Sequence, residues 1–207
     1  MLTRCRARIG VRFASLWVLC FVAAQPTLSQ CEPRWLEGRG EPGVRGRVDA
    51  AVWWDPDMSG PMQPLFVVGG TFGSAEGIPT GPLAGWDGRR WHAVGARLDN
   101  VVNDLEVLPT GELVAAGDFL AAGATPVSRV ATWNGQEWLP LGTGLNGRPY
   151  DLATGPDGSL YAAGSFTVAG GVSVSGVARW DGQQWSAVGS GLTAAARAVG
   201  FSSSGEL

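Results

Sequence analysis

Asp55 and Asp57 stand two apart ahead of Gly60, a spacing that opens a calcium loop. Such a loop needs about six oxygen ligands. No third carboxylate or terminal Glu follows at the required distance, so the pair is a weak calcium candidate and reads more plainly as a Pro-rich surface turn. His92 is the single histidine of the 207-residue chain, and without cysteine partners it makes no zinc set. Asp104 and Asp151 share one phase, 47 residues apart, where they could line an ion or ligand site. Ala198 breaks that series, and aspartates at strand edges commonly cap backbone N–H groups. Acid–base hydrolysis of a glycoside needs two non-equivalent carboxyl groups in one cleft, and no pattern here assembles them. Ala169-Gly170-Gly171 is not followed by a helix, which removes a phosphate cradle. The expected catalytic residues, metal site and cofactor are accordingly none.

Six of the ten tryptophans recur at one fixed step. Trp86-Asp87-Gly88-Arg89-Arg90-Trp91 recurs as Trp133-Asn134-Gly135-Gln136-Glu137-Trp138 and again as Trp180-Asp181-Gly182-Gln183-Gln184-Trp185, each time after 47 residues. Paired indoles can act as stacking platforms for sugars. Because these recur in every unit at one phase, the expectation is structural: they flank a hairpin and fill the wedge between neighbouring sheets. The same step relates Phe72, Phe119 and Phe166, as well as Gly70, Gly117 and Gly164. Residues 101–147 and 148–194 are identical at 22 of 47 positions.

The elements that must position these residues are four short strands per unit. Strand a is expected at 103–108 and 150–154, and strand b at 113–117 and 160–164. Strand c is expected at 129–133 and 177–180, and strand d from Trp185 to Val188. Strand b is short and apolar throughout, as a buried strand is. The Asp-Gly or Asn-Gly after strand c is a hairpin signal, and no window after the leader has helical periodicity. The fold class is therefore all-β: a β-propeller of four-stranded blades of about 47 residues. Blades are expected at 48–95 (with an insertion at 55–63), 101–142 and 148–189. A lone strand d is expected at 35–38, and the start of a further blade at 195–207. Three blades are fewer than the usual four to eight, so the expected state is an incomplete, C-terminally truncated arc.

The pattern resembles kelch-type repeats, in which an apolar strand ending in a glycine doublet leads to an aromatic-Asp turn and then a Trp. Val67-Val68-Gly69-Gly70 carries the full doublet, whereas Gly117 and Gly164 keep one glycine. It is still more similar to the Gly-Phe-Thr, Ala-Gly-Gly and Trp-Asp-Gly-x-x-Trp repeats of exported, planctomycete-like bacterial proteins. Related repeats occur in fungal cortical polarity-marker proteins. The resemblance covers 35–207 and implies a fold more than a function. A kelch-type copper oxidase would need paired His and Tyr ligands, and Tyr150 and Tyr161 alone do not provide them.

Residues 1–24 read as an export signal, with Arg4, Arg6, Arg8 and Arg12 ahead of an apolar run too short to span a bilayer. Cleavage before Gln25 removes those four of the 15 cations, leaving 11 Arg against 18 acidic residues, a net charge of −7. That balance disfavours nucleic acid and anionic membranes as partners. The chain has no Lys, which excludes Lys nucleophiles and Schiff bases. Cys31 is the one cysteine beyond the leader, so it either stays free or pairs outside this chain. The expected function is a non-catalytic, secreted or cell-surface scaffold that binds a protein or glycan, with no membrane insertion after cleavage. Two rivals are an extracellular glycan-active enzyme with its catalytic loops in other blades, and a structural surface spacer. Equal b–c loops (Phe72 to Ala84, Phe119 to Ala131, Phe166 to Ala178) disfavour the enzyme.

Overall fold

The computed structural model describes residues 43–58 and 60–207. The leader at 1–24, Cys31 and the strand expected at 35–38 lie outside the described residues. Among the described residues every regular element is a strand. The first sheet holds β1 (Val44–Trp54), β2 (Leu65–Ala75), β3 (Ile78–Pro79), β4 (Leu83–Trp86) and β5 (Trp91–Ala93). The second comprises β6 (Val102–Val107), β7 (Leu113–Gly117), β10 (Val130–Trp133) and β11 (Trp138–Pro140), with the small hairpin β8 (Ala121–Ala122) and β9 (Thr125–Pro126) between β7 and β10. The third has β12 (Pro149–Thr154), β13 (Leu160–Gly164), β16 (Val177–Trp180) and β17 (Trp185–Ala187), with β14 (Val168–Ala169) and β15 (Val172–Ser173) as its hairpin.

Each sheet is an antiparallel meander in which sequence neighbours pair, apart from the hairpin strands. Strands β1, β6 and β12 lie against one another in that order, which places the first strand of each sheet innermost. The three sheets are consecutive blades of a β-propeller. Their cores lie between blades: one buried cluster joins Trp54, Val67 and Leu83 to Leu105, Phe119 and Trp133. The next joins Val114 and Leu141 to Leu152, Phe166 and Trp185.

Glycine makes the inner pairing possible at one repeated place. The register of each first strand slips by one residue, at Asp49, Asn103 and Tyr150. The facing residues are Gly70, Gly117 and Gly164, where a Cβ would collide with the carbonyls of Arg47, Val101 and Arg148. Only a residue without Cβ lets the bulged backbone come so close.

Two features differ from the sequence expectation. The b–c segments, read as loops, fold into hairpins; Gly170 (φ +59°) and Gly171 (φ +86°) form the two-residue turn between Ala169 and Val172. Residues 195–207, expected to open a further blade, contain no strand. Val199 N nevertheless donates to Asp151 Oδ2 at 2.6 Å, repeating the bond from Leu152 N to Asp104 Oδ2. The segment is thus held at the place of an inner strand without strand pairing. Val130, Leu141, Leu145, Leu152 and Leu160 are buried at the seam between the second and third blades. Their counterparts 47 residues on, Val177, Val188, Leu192, Val199 and Leu207, line an apolar cavity of about 430 Å³.

Trp138 and Trp185 are each 3% exposed. Trp185 Nε1 donates to Leu141 O at 2.9 Å, while Trp138 Nε1 is buried with no acceptor among the described residues. Replacing Trp185 by Ala should cost about 3–5 kcal/mol, as for other buried aromatics. Trp138→Phe should cost less than Trp185→Phe, because only the latter gives up a hydrogen bond. Urea unfolding of the variants measures both.

Candidate functional site

The Trp-Asp-Gly-x-x-Trp segment is an Asx-capped hairpin. Asp87 Oδ1 accepts from the backbone N–H of Arg89 (2.7 Å) and Arg90 (2.9 Å). Asn134 does the same for Gln136 and Glu137, and Asp181 for Gln183 and Gln184. Gly88, Gly135 and Gly182 follow with φ of +90°, +94° and +99°. The turn sets the two indoles opposite each other, with ring centroids 5.4–5.5 Å apart and planes tilted by 46–51°. Phe72, Phe119 and Phe166 are buried beneath the b–c hairpins. Trp133, Trp138 and Trp185 are buried between blades, with no ring face open to a sugar. Trp86, Trp91 and Trp180 are half-buried.

Asp55 and Asp57 cap their own loop. Asp55 Oδ1 accepts from Asp57 N at 3.3 Å, and Asp57 Oδ2 from Met62 N at 2.9 Å. Among the described residues no three acidic, His or Cys side chains come together as a metal set. His92 has a partner that spacing alone did not single out: its Nε2 lies 2.6 Å from Asp87 Oδ2. The hairpin register, which puts His92 opposite Gly85, was the available signal. That bond, with the N–H groups of Arg90 and Arg89, holds the Asp87 carboxyl well below its ordinary range. Both residues sit on the outer edge of the blade, and no nucleophile bonds to the imidazole among the described contacts.

Asp104 and Asp151 do cap backbone N–H groups, but those of the next unit. Asp104 Oδ2 accepts from Leu152 N at 2.6 Å, and Glu106 Oε1 from Thr154 N at 3.0 Å. Asn103 Nδ2 donates to Pro149 O at 2.8 Å. Three side chains of β6 therefore stitch it to β12, where two innermost strands meet without backbone pairing. Ala50, opposite Gly69, and Ala198 hold the equivalent place and cannot make this bond. Burial pushes the Asp104 carboxyl up to about 7, with the Leu152 N–H opposing and the Asp151 and Glu106 charges adding.

The bulged starts of the inner strands and the b–c hairpins gather at one end of the propeller. There Asp99 Oδ1 accepts from Leu120 N and Ala121 N, and Asn146 Oδ1 from Thr167 N and Val168 N, fastening each hairpin to the loop that leads into its own blade. Isolated bridges Leu98–Ala122 and Leu145–Ala169 reinforce the junctions. This end is rigidly framed yet displays residues that change from unit to unit. It is the candidate binding face.

A family model described as a domain of unknown function (DUF5122), beta-propeller, matches residues 155–180. The matched stretch runs from the turn after β12 through the β14–β15 hairpin to the end of β16. No curated protein matches the chain. Architecture and match agree on a β-propeller repeat protein. Among the described residues, no helix is long and apolar enough to cross a membrane.

The raised Asp104 pKa has a definite consequence for stability. At about pH 2 to 3, well below the unfolded value of 3.8, the group is protonated in both states and contributes nothing. As pH rises toward 7 the unfolded chain releases a proton that the folded protein still holds, so stability falls, levelling off above the folded pKa of about 7. The loss attributable to this group is at most about 4 kcal/mol. Asp104→Asn keeps an acceptor for Leu152 N and should flatten this slope, stabilising the protein at pH 8 while changing little at pH 4. Denaturant unfolding across that range is the check.

Proposed function

We propose that this β-propeller is a non-catalytic, exported scaffold, of the kelch-like type found in exported bacterial proteins, that binds a protein or glycan at the cell surface. The observation that supports the reading best is the set of equal hairpins on the candidate face. Each b–c segment has the same length, and Ile78, Thr125 and Val172 stand at equivalent exposed positions on them. Ile78 is 38% and Val172 40% exposed, so two of the three present apolar surface beside the polar residues of the axial end. A partner meets a repeated, preorganised surface whose chemistry varies only at chosen positions, which lowers the ordering cost of binding. An enzyme built on a propeller concentrates its chemistry in one or two unmatched loops, whereas these three match. The arginine-rich, apolar leader supports export, and the acidic balance of the remaining chain disfavours nucleic acid.

Expression in a secreting host should yield extracellular protein whose first residue is Gln25; a mature product that begins at Met1 and stays in the cytoplasm contradicts export. Purified protein should bind producer-type cells without releasing reducing ends from surface glycans. Ile78→Ser with Val172→Ser should weaken that binding while leaving thermal stability unchanged. Glycan release by the purified protein would favour the enzyme reading.

A further inference from the structure

Arg148 fills a particular place at the seam between the second and third blades. Its guanidinium forks onto Asp118, with Nε donating to Oδ1 at 2.7 Å and Nη2 to Oδ2. Arg129 reaches into the same junction, its Nη1 donating to Leu145 O at 3.0 Å. Forty-seven residues on, the sequence replaces Asp118 by Ser165, Leu120 by Thr167, Arg129 by Gly176 and Arg148 by Ala195. The backbone frame persists: Leu192 N donates to Ser175 O at 2.9 Å, as Leu145 N does to Ser128 O at 3.0 Å. With both guanidinium groups gone, a cavity of about 340 Å³ lies between residues 164–167, 175–176 and 192–195. The guanidinium groups that fill the neighbouring seam have no counterpart in its lining.

Ser165, Thr167, Ser175 and Thr193, all exposed, line this cavity together with the buried Phe166, and Thr167 Oγ1 accepts from Asn146 Nδ2 at 2.9 Å. At its edge Tyr150 Oη lies 3.4 Å from Ser165 Oγ. The Arg197 guanidinium stands over the Tyr150 ring, 5.5 Å from its centroid, and has no carboxylate partner among the described residues. Tyr150 is the bulge residue of β12, and Arg197 holds the same phase one unit later.

We infer that this cavity is a saccharide subsite for a sugar residue bearing a carboxylate, a uronate, with Arg197 as the carboxylate's partner. Hydroxyl side chains both donate and accept, which suits neighbouring sugar hydroxyls. A guanidinium receives a carboxylate through two parallel hydrogen bonds, and the volume lies within the range of small-ligand sites. A carboxylate on a peptide would satisfy Arg197 but bring no neighbouring hydroxyls to meet Ser175 and Thr193. The inference rests on the scaffold reading and adds where the protein binds and what it binds.

The test is calorimetric titration of the exported protein with a galacturonate trimer and with a neutral galactose trimer. Wild type should bind the uronate and discriminate against the neutral sugar. Ser165→Asp combined with Ala195→Arg rebuilds the neighbouring seam's ion pair in the cavity and should abolish binding. Arg197→Gln, at an exposed side chain, should fold normally and weaken uronate binding by about tenfold or more. Unchanged uronate binding in either variant overturns the inference, as does equal affinity of wild type for the neutral trimer. Wild type that ignores uronates yet still binds cells also overturns it, and leaves the scaffold reading standing.

Discussion

The indole of Trp133 rests on Gly95, the residue closing the last strand of the preceding blade, where a Cβ would collide with its ring. Trp180 takes the same position over Gly142, whose Cβ would lie 3.4 Å from the indole. This packing of a large ring on a bare backbone holds adjacent blades together. An isolated four-stranded sheet of this size cannot bury both of its faces. The Asx-capped turn exists to aim the pair: aspartate or asparagine ties the turn, glycine takes its left-handed residue, and the two tryptophans face each other across the hairpin. The indoles of Trp133, Trp138, Trp180 and Trp185 then join the buried clusters that form between blades.

Tryptophan closes the outer part of these seams, and on the inner strands polar side chains join the buried Leu105 and Leu152. Asp104, Glu106 and Asn103 bridge β6 to β12 one bond at a time. A buried carboxylate at the axis is costly, and Asp104 bears that cost as a pKa near 7. The alanines at the same phase in the first blade and after the third make the stitch local to one stretch of the arc. Positions of this kind, free to change without loss of the wedge, are where the units differ chemically. The same holds at the axial end, where one junction is plugged by Arg148 and Asp118 and the next is an open, hydroxyl-lined cavity.

Much of the fold was legible because the repeat supplied several readings of one structure. Strand b fell at Leu113–Gly117 and Leu160–Gly164, as its apolar run and closing glycine implied, and the hairpin turns followed from Asp-Gly and Asn-Gly. The b–c hairpins were not legible: strands of two residues are too short for any alternation to register, and Ala-Gly-Gly reads equally as a loop. The slipped register was hidden too, since a bulge adds no residue type of its own. Its trace lay in the repeated glycine of strand b, whose need is set by a carbonyl on another strand. Of the candidate site, the phase of Asp104 and Asp151 was visible, but not that each caps a backbone N–H of the next unit. A contact between blades has no local signature. The cavity became evident only by comparing one seam with the next.

Gly95 and Gly189 share a phase and a left-handed backbone, with φ of +66° and +55°, but of the two only Gly95 lies under an indole; a Cβ on Gly189 would meet no atom of the described residues within 4 Å, its chain neighbours aside. Substituting alanine at each therefore separates the backbone cost, common to both, from the wedge contact, present in one. The unfolding free energies of Gly95→Ala and Gly189→Ala, measured side by side, test the wedge most directly. Gly95→Ala should cost more than Gly189→Ala by about 1–3 kcal/mol, the usual range for forcing extra atoms into a packed contact. Equal losses would mean that the ring does not bear on the glycine, and that something other than indole-on-backbone packing joins the blades.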